Sequence, residues 1–174
     1  MKRLVTISLT MLFLLAIEGV AMELLPPFIK LSEFYLTPHW LLVFLTIVVS
    51  FSYQHDATMP ITFAVVFGLM TDIVYTGVLG VYMFMLALSV YTGQLLNRFL
   101  QANFWVLWII TFLTITVMEL GLLSIYSFIG VPTMSFNNFI LYRYLPTIGA
   151  NLLFLIIIYL PTRKLLEWTE EEEL

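Results

Sequence analysis

Six apolar stretches limit what this chain can fold into. Each approaches or exceeds the roughly 18 to 20 residues that a helix needs to cross a bilayer. Their positions are about 4–25, 36–53, 57–76, 79–96, 104–129 and 139–160. Since 61% of the residues are hydrophobic and only 10% are charged, too little polar sequence remains for a separate soluble domain. We therefore predict an all-α integral membrane protein, a bundle of six transmembrane helices.

The charged residues at the span ends predict the orientation of this bundle. We expect a single transmembrane domain over residues 1–165 and an acidic tail over 166–174, whose terminal glutamates form a run of the kind that is usually solvated. Basic residues favour the cytoplasmic side, and an N-terminus in the cytoplasm places most of them there: Lys2, Arg3, Arg98, Arg163 and Lys164. Both termini should then be cytoplasmic, in a multi-pass protein of the plasma membrane.

Four ionisable residues lie inside these apolar stretches: Glu18, Asp72, Glu119 and Arg143. Charge in hydrocarbon is costly and usually has a partner or a function. With a rise of about 1.5 Å per residue, each acid lies about fifteen residues, or roughly 22 Å, from a cytoplasmic span end. The arginine lies roughly 6 Å below the outer surface of a core that is about 30 Å thick. We therefore expect the four charges to converge in the outer leaflet.

The last apolar stretch also carries a polar stripe. Arg143, Thr147 and Asn151 recur every fourth residue and so share one helical face. This face should point into the bundle, with Arg143 held by one of the three acids. The resulting polar cluster would fix the packing of the spans, form a proton or ion pathway, or present a polar surface to another membrane protein. The residues alone leave these three interpretations open.

The sequence contains no recognisable catalytic motif. It has no phosphate loop, no dinucleotide fingerprint and no metalloprotease histidine pair, and the absence of cysteine excludes thiolate chemistry. His39 and His55 lie at opposite ends of the second stretch and cannot share a metal. An intramembrane aspartyl protease needs two aspartates, whereas only Asp72 lies within a span. We predict a protein that is not an enzyme and that has no cofactor or metal.

Glycines punctuate the junction between the third and fourth stretches. Gly77 and Gly80 follow Asp72 closely, which predicts a tight hairpin with unusual backbone dihedrals. Ala64 and Gly68 share a helical face with Asp72 at a spacing of four residues. Small residues at this spacing let a neighbouring helix approach closely beside the acid.

This junction resembles the MreD family, the small membrane subunit of the bacterial rod-shape, or elongasome, system. The version here is similar to those of Bacillus relatives, although Thr71 stands where a tyrosine is common and Tyr142 where an acid often precedes the arginine. The resemblance covers nearly the whole chain and extends to 134–137, Arg143, Pro146, Thr147, Asn151 and Glu18.

The resemblance implies a non-enzymatic role. It implies that the chain binds the scaffold protein MreC in the membrane and acts with MreB, RodA and a class B penicillin-binding protein to organise lateral peptidoglycan synthesis and cell shape. Membrane lipid is a further expected partner, and nucleic acid is not. Asp72 and Arg143 would then maintain the outer end on which a partner helix docks. The candidate partner-binding residues near this hairpin are Gly77, Leu79, Gly80, Tyr82 and Phe84.

The family is also similar in fold to the substrate-binding subunits of energy-coupling-factor vitamin transporters. This similarity implies an alternative function, that of a membrane subunit that binds a small molecule. The first apolar stretch lacks the Ala-x-x-x-Ala face with which those subunits dock onto their energising module. Fold similarity by itself does not transfer function.

Overall fold

The computed structural model describes residues 2–24, 35–52, 58–100, 103–131 and 134–171, and all regular structure in these ranges is helical. The helices are α1 (Lys2–Leu24), α2 (Trp40–Ser52), α3 (Met59–Thr71), α4 (Val81–Phe99), α5 (Phe104–Phe128) and α6 (Leu145–Glu171). Two segments of wider π geometry interrupt this pattern. One continues α3 (Asp72–Thr76), and the other (Phe139–Tyr144) follows a short helical turn (Phe136–Asn138) and leads into α6.

Each predicted apolar stretch overlaps one of these helices. Within the described ranges, four helical segments are long and apolar enough to cross a membrane, and they are Lys2–Ala21, Met59–Thr76, Phe104–Phe128 and Phe136–Thr169. The helix at Trp40–Phe51 is apolar but shorter. The prediction of an all-helical membrane protein is therefore confirmed.

The last helix is longer than the apolar pattern indicated. Although the predicted span ends near residue 160, α6 continues through Pro161 to Glu171, and Leu166 is buried. The described part of the predicted acidic tail is thus helical. The predicted turn that contains His55 lies outside the described residues.

Helix α2 lies at the centre of the bundle and packs against each of the five other helices named above. Its residues 41–49 are all buried, and the side chains from Leu42 to Leu45 have no accessible surface. A helix that is apolar on every face is one that other helices surround. The chain leading into α2 must therefore carry backbone polar groups into the interior, where they need hydrogen-bond partners.

Helices α3 and α4 form the hairpin that the sequence predicted. A Cβ added to Gly68 would lie only 2.7 Å from Cα of Met83, so the glycine allows the two backbones to approach closely. Gly77 and Gly80 both have positive φ angles, of 69° and 93°, which side chains other than glycine rarely tolerate. The predicted close approach beside Asp72 is confirmed.

Candidate functional site

The polar cluster is built around the segment that leads into α2. The first N–H groups of a helix have no hydrogen-bond partners within the helix. The stripe on α6 supplies acceptors for the segment that leads into α2. Thr37 N–H donates to Thr147 Oγ1 at 3.1 Å, and His39 N–H donates to Asn151 Oδ1 at 2.7 Å. The amide of Asn151 donates in return to the carbonyl oxygen of Thr37 at 3.0 Å. The predicted stripe thus points into the bundle and holds this segment.

Glu18, on α1, also contacts the start of α2. Its Oε2 accepts a hydrogen bond from Leu41 N–H at 3.4 Å, and the carboxylate also faces the N–H of Trp40. Negative charge near a helix N-terminus is stabilised by the aligned peptide dipoles. The counterpart of Glu18 is therefore the N-terminus of α2 and not a basic side chain.

Asp72 contacts the N-terminus of a different helix, α4. Its carboxylate is fully buried and lies at the N-terminus of α4. Oδ2 accepts from Gly80 N–H at 2.8 Å and Met83 N–H at 3.1 Å, while Oδ1 accepts from Tyr82 N–H at 2.9 Å and the Thr76 hydroxyl at 3.1 Å. Asp72 thus caps α4 from the end of α3 and fixes the hairpin between them with charge-assisted hydrogen bonds.

Glu119 is the acid that holds Arg143. Nε of Arg143 donates to Glu119 Oε2 at 2.8 Å, and Nη2 donates to Oε1 at 3.5 Å. His39 Nε2 lies 2.7 Å from the same Oε1. A carboxylate can only accept, so the ring N–H of His39 is the donor. Glu119 and His39 are buried, whereas the Arg143 side chain keeps 29% of its surface accessible.

All six predicted residues lie at one end of the bundle, where α1, α3 and α5 finish and α2, α4 and α6 begin. We call this the Asp72 end. The three acids of the cluster do not share its one basic residue, Arg143. Two of them face helix N-termini, and only Glu119 pairs with Arg143. The two acids of the cluster that do not pair with Arg143 are therefore held by backbone N–H groups.

His39 is the functional residue that sequence reasoning missed. The sequence placed it only at a span end, where it could not share a metal with His55. The ring of His39 instead enters the bundle at the level of Glu119. Within the described ranges, no three side chains of the metal-binding types come together.

The five candidate partner-binding residues divide into two groups. Leu79 and Phe84 expose 69% and 56% of their surface and could meet another helix. Gly77 and Gly80 shape the hairpin through their positive φ angles. Tyr82 turns inward, with its ring centroid 6.3 Å from that of His39.

Two adjoining cavities open at the Asp72 end, with volumes of about 530 and 720 Å³. Glu18 lines the smaller cavity and Arg143 lines the larger one. We call the two cavities together the polar chamber, because four residues with hydroxyl groups line both of them: Thr37, Tyr75, Thr76 and Tyr82. The chamber lies within the size range of small-molecule sites.

Comparisons with known proteins agree on one family. Residues 1–169 match the family model described as rod shape-determining protein MreD. The chain is 31% identical over 164 residues to the rod shape-determining protein MreD of Bacillus subtilis (strain 168), which covers 94% of this chain and 92% of that protein. No solved structure matches the chain, so the similarity in fold to vitamin-transporter subunits stays a prediction.

Proposed function

Because the chain belongs to the MreD family of rod shape-determining proteins, we propose that it is the non-enzymatic membrane subunit that binds MreC in the rod-shape system. Its part in determining cell shape follows from the family. The proposal adds the direct contact with MreC. It also adds a role with MreB, RodA and a class B penicillin-binding protein in organising lateral peptidoglycan synthesis.

The proposal includes six membrane crossings with both termini in the cytoplasm. Glu18 near the end of α1 and Asp72 at the end of α3 lie at the same end of the bundle, so α2 must carry the chain back between them. The same reasoning makes α4 return between α3 and α5. Helix α2, at about 1.5 Å per residue, is shorter than the hydrocarbon core. Non-helical backbone is tolerated at such depth where protein surrounds it, as it does around the start of α2.

The observation that supports MreC binding is the rigid hairpin at the start of α4. Asp72 fixes its backbone, and two large apolar side chains, Leu79 and Phe84, project from it. Helix association in lipid depends on close packing rather than on hydrophobic burial, so a pre-formed surface is an advantage. We propose that a transmembrane helix of MreC packs on this hairpin, and that Asp72 and Arg143 maintain its shape.

The experiment is co-purification of MreC with variants of the chain from the membrane. Phe84→Ala should reduce the yield of MreC severalfold, because it removes a large exposed anchor. Phe13→Ala on α1 is the matched control, since Phe13 is equally apolar and similarly exposed, at 65%. A photo-crosslinking residue at position 84, but not at position 13, should capture MreC. Equal yields and equal crosslinking at the two positions would refute the proposed surface.

The polar chamber supports the alternative function of a small-molecule-binding membrane subunit. Its walls combine hydroxyl groups with the side chains of Glu18 and Arg143, a mixture that suits a polar ligand. Tight, stoichiometric retention of a water-soluble, vitamin-like compound by the purified protein would favour this alternative over the scaffold role. Mass spectrometry of the denatured, purified protein provides that measurement.

A further inference from the structure

The smaller cavity of the polar chamber has a wall that faces lipid. It is lined by Ala16 and Val20 of α1 and by Tyr75 of the π segment after α3. All three side chains are exposed, and Val20 keeps 52% of its surface accessible. Exposed side chains on spanning helices face the bilayer, so this cavity borders lipid at Val20, next to the point where the Tyr75 hydroxyl donates to the carbonyl oxygen of Leu15 and joins the π segment to α1. A ligand with a hydrocarbon chain can therefore reach the chamber without leaving the membrane.

The larger cavity offers hydrogen-bond donors. A guanidinium group has five N–H donors, and Glu119 engages one on Nε and one on Nη2 of Arg143. Three donors remain on a side chain that lines this cavity. Tyr82 and Tyr126 line it as well. Tyr126 is hydrogen-bonded to Thr76, whereas within the described part of the chain the Tyr82 hydroxyl has no hydrogen-bond partner. Such a set of donors around a guanidinium matches the acceptor oxygens of a phosphate.

The nearby acids do not cancel this attraction. Asp72 is enclosed by the N-terminus of α4, and Glu18 faces the N-terminus of α2 at the back of the smaller cavity. Glu119 accepts from His39 as well as from Arg143. Each carboxylate therefore has its own counterpart, and the donors that Arg143 keeps free remain accessible to an anion.

The two π segments support a ligand site at the same place. One carries Tyr75 and Thr76, and the other carries Arg143. All three side chains line the polar chamber. Short π segments within α-helices are frequent at functional sites, and here both border one cavity system.

We propose that the polar chamber binds a phosphate-bearing membrane lipid. Its phosphate contacts Arg143 and the Tyr82 hydroxyl in the larger cavity, and its hydrocarbon chain leaves past Val20 of α1. This site is separate from the exposed hairpin surface at Leu79 and Phe84, and it does not depend on the binding of MreC.

A series of three probes tests the class of ligand. The full-length protein, freed of lipid in detergent, is titrated with dilauroyl phosphatidic acid, with dilauroylglycerol and with inorganic phosphate, and binding is followed by native mass spectrometry and calorimetry. The phosphatidic acid should bind with a stoichiometry of one. Dilauroylglycerol should bind at least about tenfold more weakly, because it lacks the charge-assisted hydrogen bonds. Equal binding of these two lipids would overturn the phosphate contact, and equally tight binding of inorganic phosphate would overturn the lipid.

Variants locate the two parts of the ligand. Arg143→Lys keeps a positive charge beside Glu119 but removes the planar fork, and should weaken phosphatidic acid about tenfold without changing the binding of dilauroylglycerol. Should this variant fail to fold, Tyr82→Phe removes only a hydroxyl and should weaken the phosphate lipid severalfold. Unchanged affinity in the folded variant would refute the assignment.

The route of the hydrocarbon chain has its own control. Val20→Trp fills the lipid-facing side of the smaller cavity and should lower the affinity for phosphatidic acid at least about fivefold, because the hydrocarbon chain can no longer be buried there. Leu9→Trp, on another exposed part of α1 that lines neither cavity, should leave it unchanged. Equal affinities of the two variants would overturn the proposed route.

Discussion

Asp72 and Glu119 are both fully buried carboxylates at the same end of the bundle, but they are stabilised in different ways. Asp72 accepts three backbone N–H groups and a hydroxyl, all from the ten or so residues that follow it. Glu119 instead meets two side chains, His39 and Arg143, that come from the residue directly before α2 and from the segment before α6. One acid shapes a local hairpin, whereas the other joins three distant parts of the chain. Two buried carboxylates at similar depth thus stabilise different features, a local hairpin in one case and the packing of distant segments in the other.

The largest effect should come from breaking the long-range pair. Glu119→Leu leaves the Arg143 cation without its counterpart and should lower the free energy of unfolding by about 3–5 kcal/mol. Adding Arg143→Met should restore at least half of the loss, because removing both charges is far less costly than removing one. Unfolding by SDS titration in mixed micelles measures both changes. A double variant as unstable as the single one would show that Glu119 stabilises the protein by other contacts than its ion pair with Arg143.

The local cap should respond differently. Asp72→Asn keeps one acceptor oxygen but replaces the other by an amide that cannot accept from the N–H groups of α4. It should cost about 2 kcal/mol, the range for a charged hydrogen bond. No side-chain substitution elsewhere should recover the loss, since most of the partners are backbone groups. Hydrogen exchange at Tyr82 and Met83 should accelerate in this variant, and unchanged exchange would contradict the role of Asp72 as a cap.

Gly80 tests the backbone of the same hairpin. Gly80→Ala places a side chain at a φ of 93° and should destabilise the protein by about 1–2 kcal/mol. Gly149→Ala is the matched control, because its Cβ would meet nothing within 4 Å and no positive φ is required. This helical substitution should stabilise slightly, by up to about 1 kcal/mol. Thermal unfolding in detergent should therefore shift in opposite directions for the two variants.

The smallest effect should come from the stripe on α6. Thr147→Val preserves the shape of the side chain but leaves Thr37 N–H without its acceptor, at a cost of about 1 kcal/mol. The matched variant Thr116→Val, on α5, also loses a hydroxyl but leaves no backbone N–H without a partner. The loss in free energy of unfolding that Thr116→Val causes, measured by the same SDS titration, should be smaller. Equal losses for the two threonines would mean that the start of α2 does not depend on the stripe.

The sequence predicted the parts of this arrangement that follow from periodicity and depth. Apolar run length located the helices, and the four-residue repeat of Arg143, Thr147 and Asn151 predicted a stripe that faces inward. It did not predict the partners of Asp72 and Glu18, because these are backbone groups whose position depends on where α4 and α2 begin. It also missed the inward turn of His39 and the two π segments, which depend on tertiary packing rather than on local composition.

The central position of α2 has a consequence for how the chain is made. The donors at the start of this helix find their acceptors on α6, which follows α2 by about ninety residues in the chain and so leaves the ribosome much later. Until α6 is in place, the N–H groups of Thr37 and His39 lack their acceptors, and α2 is only partly surrounded by other helices. The start of α2 is therefore completed only when α6 is in place, and a chain truncated before α6 should be recognised and degraded by membrane quality control.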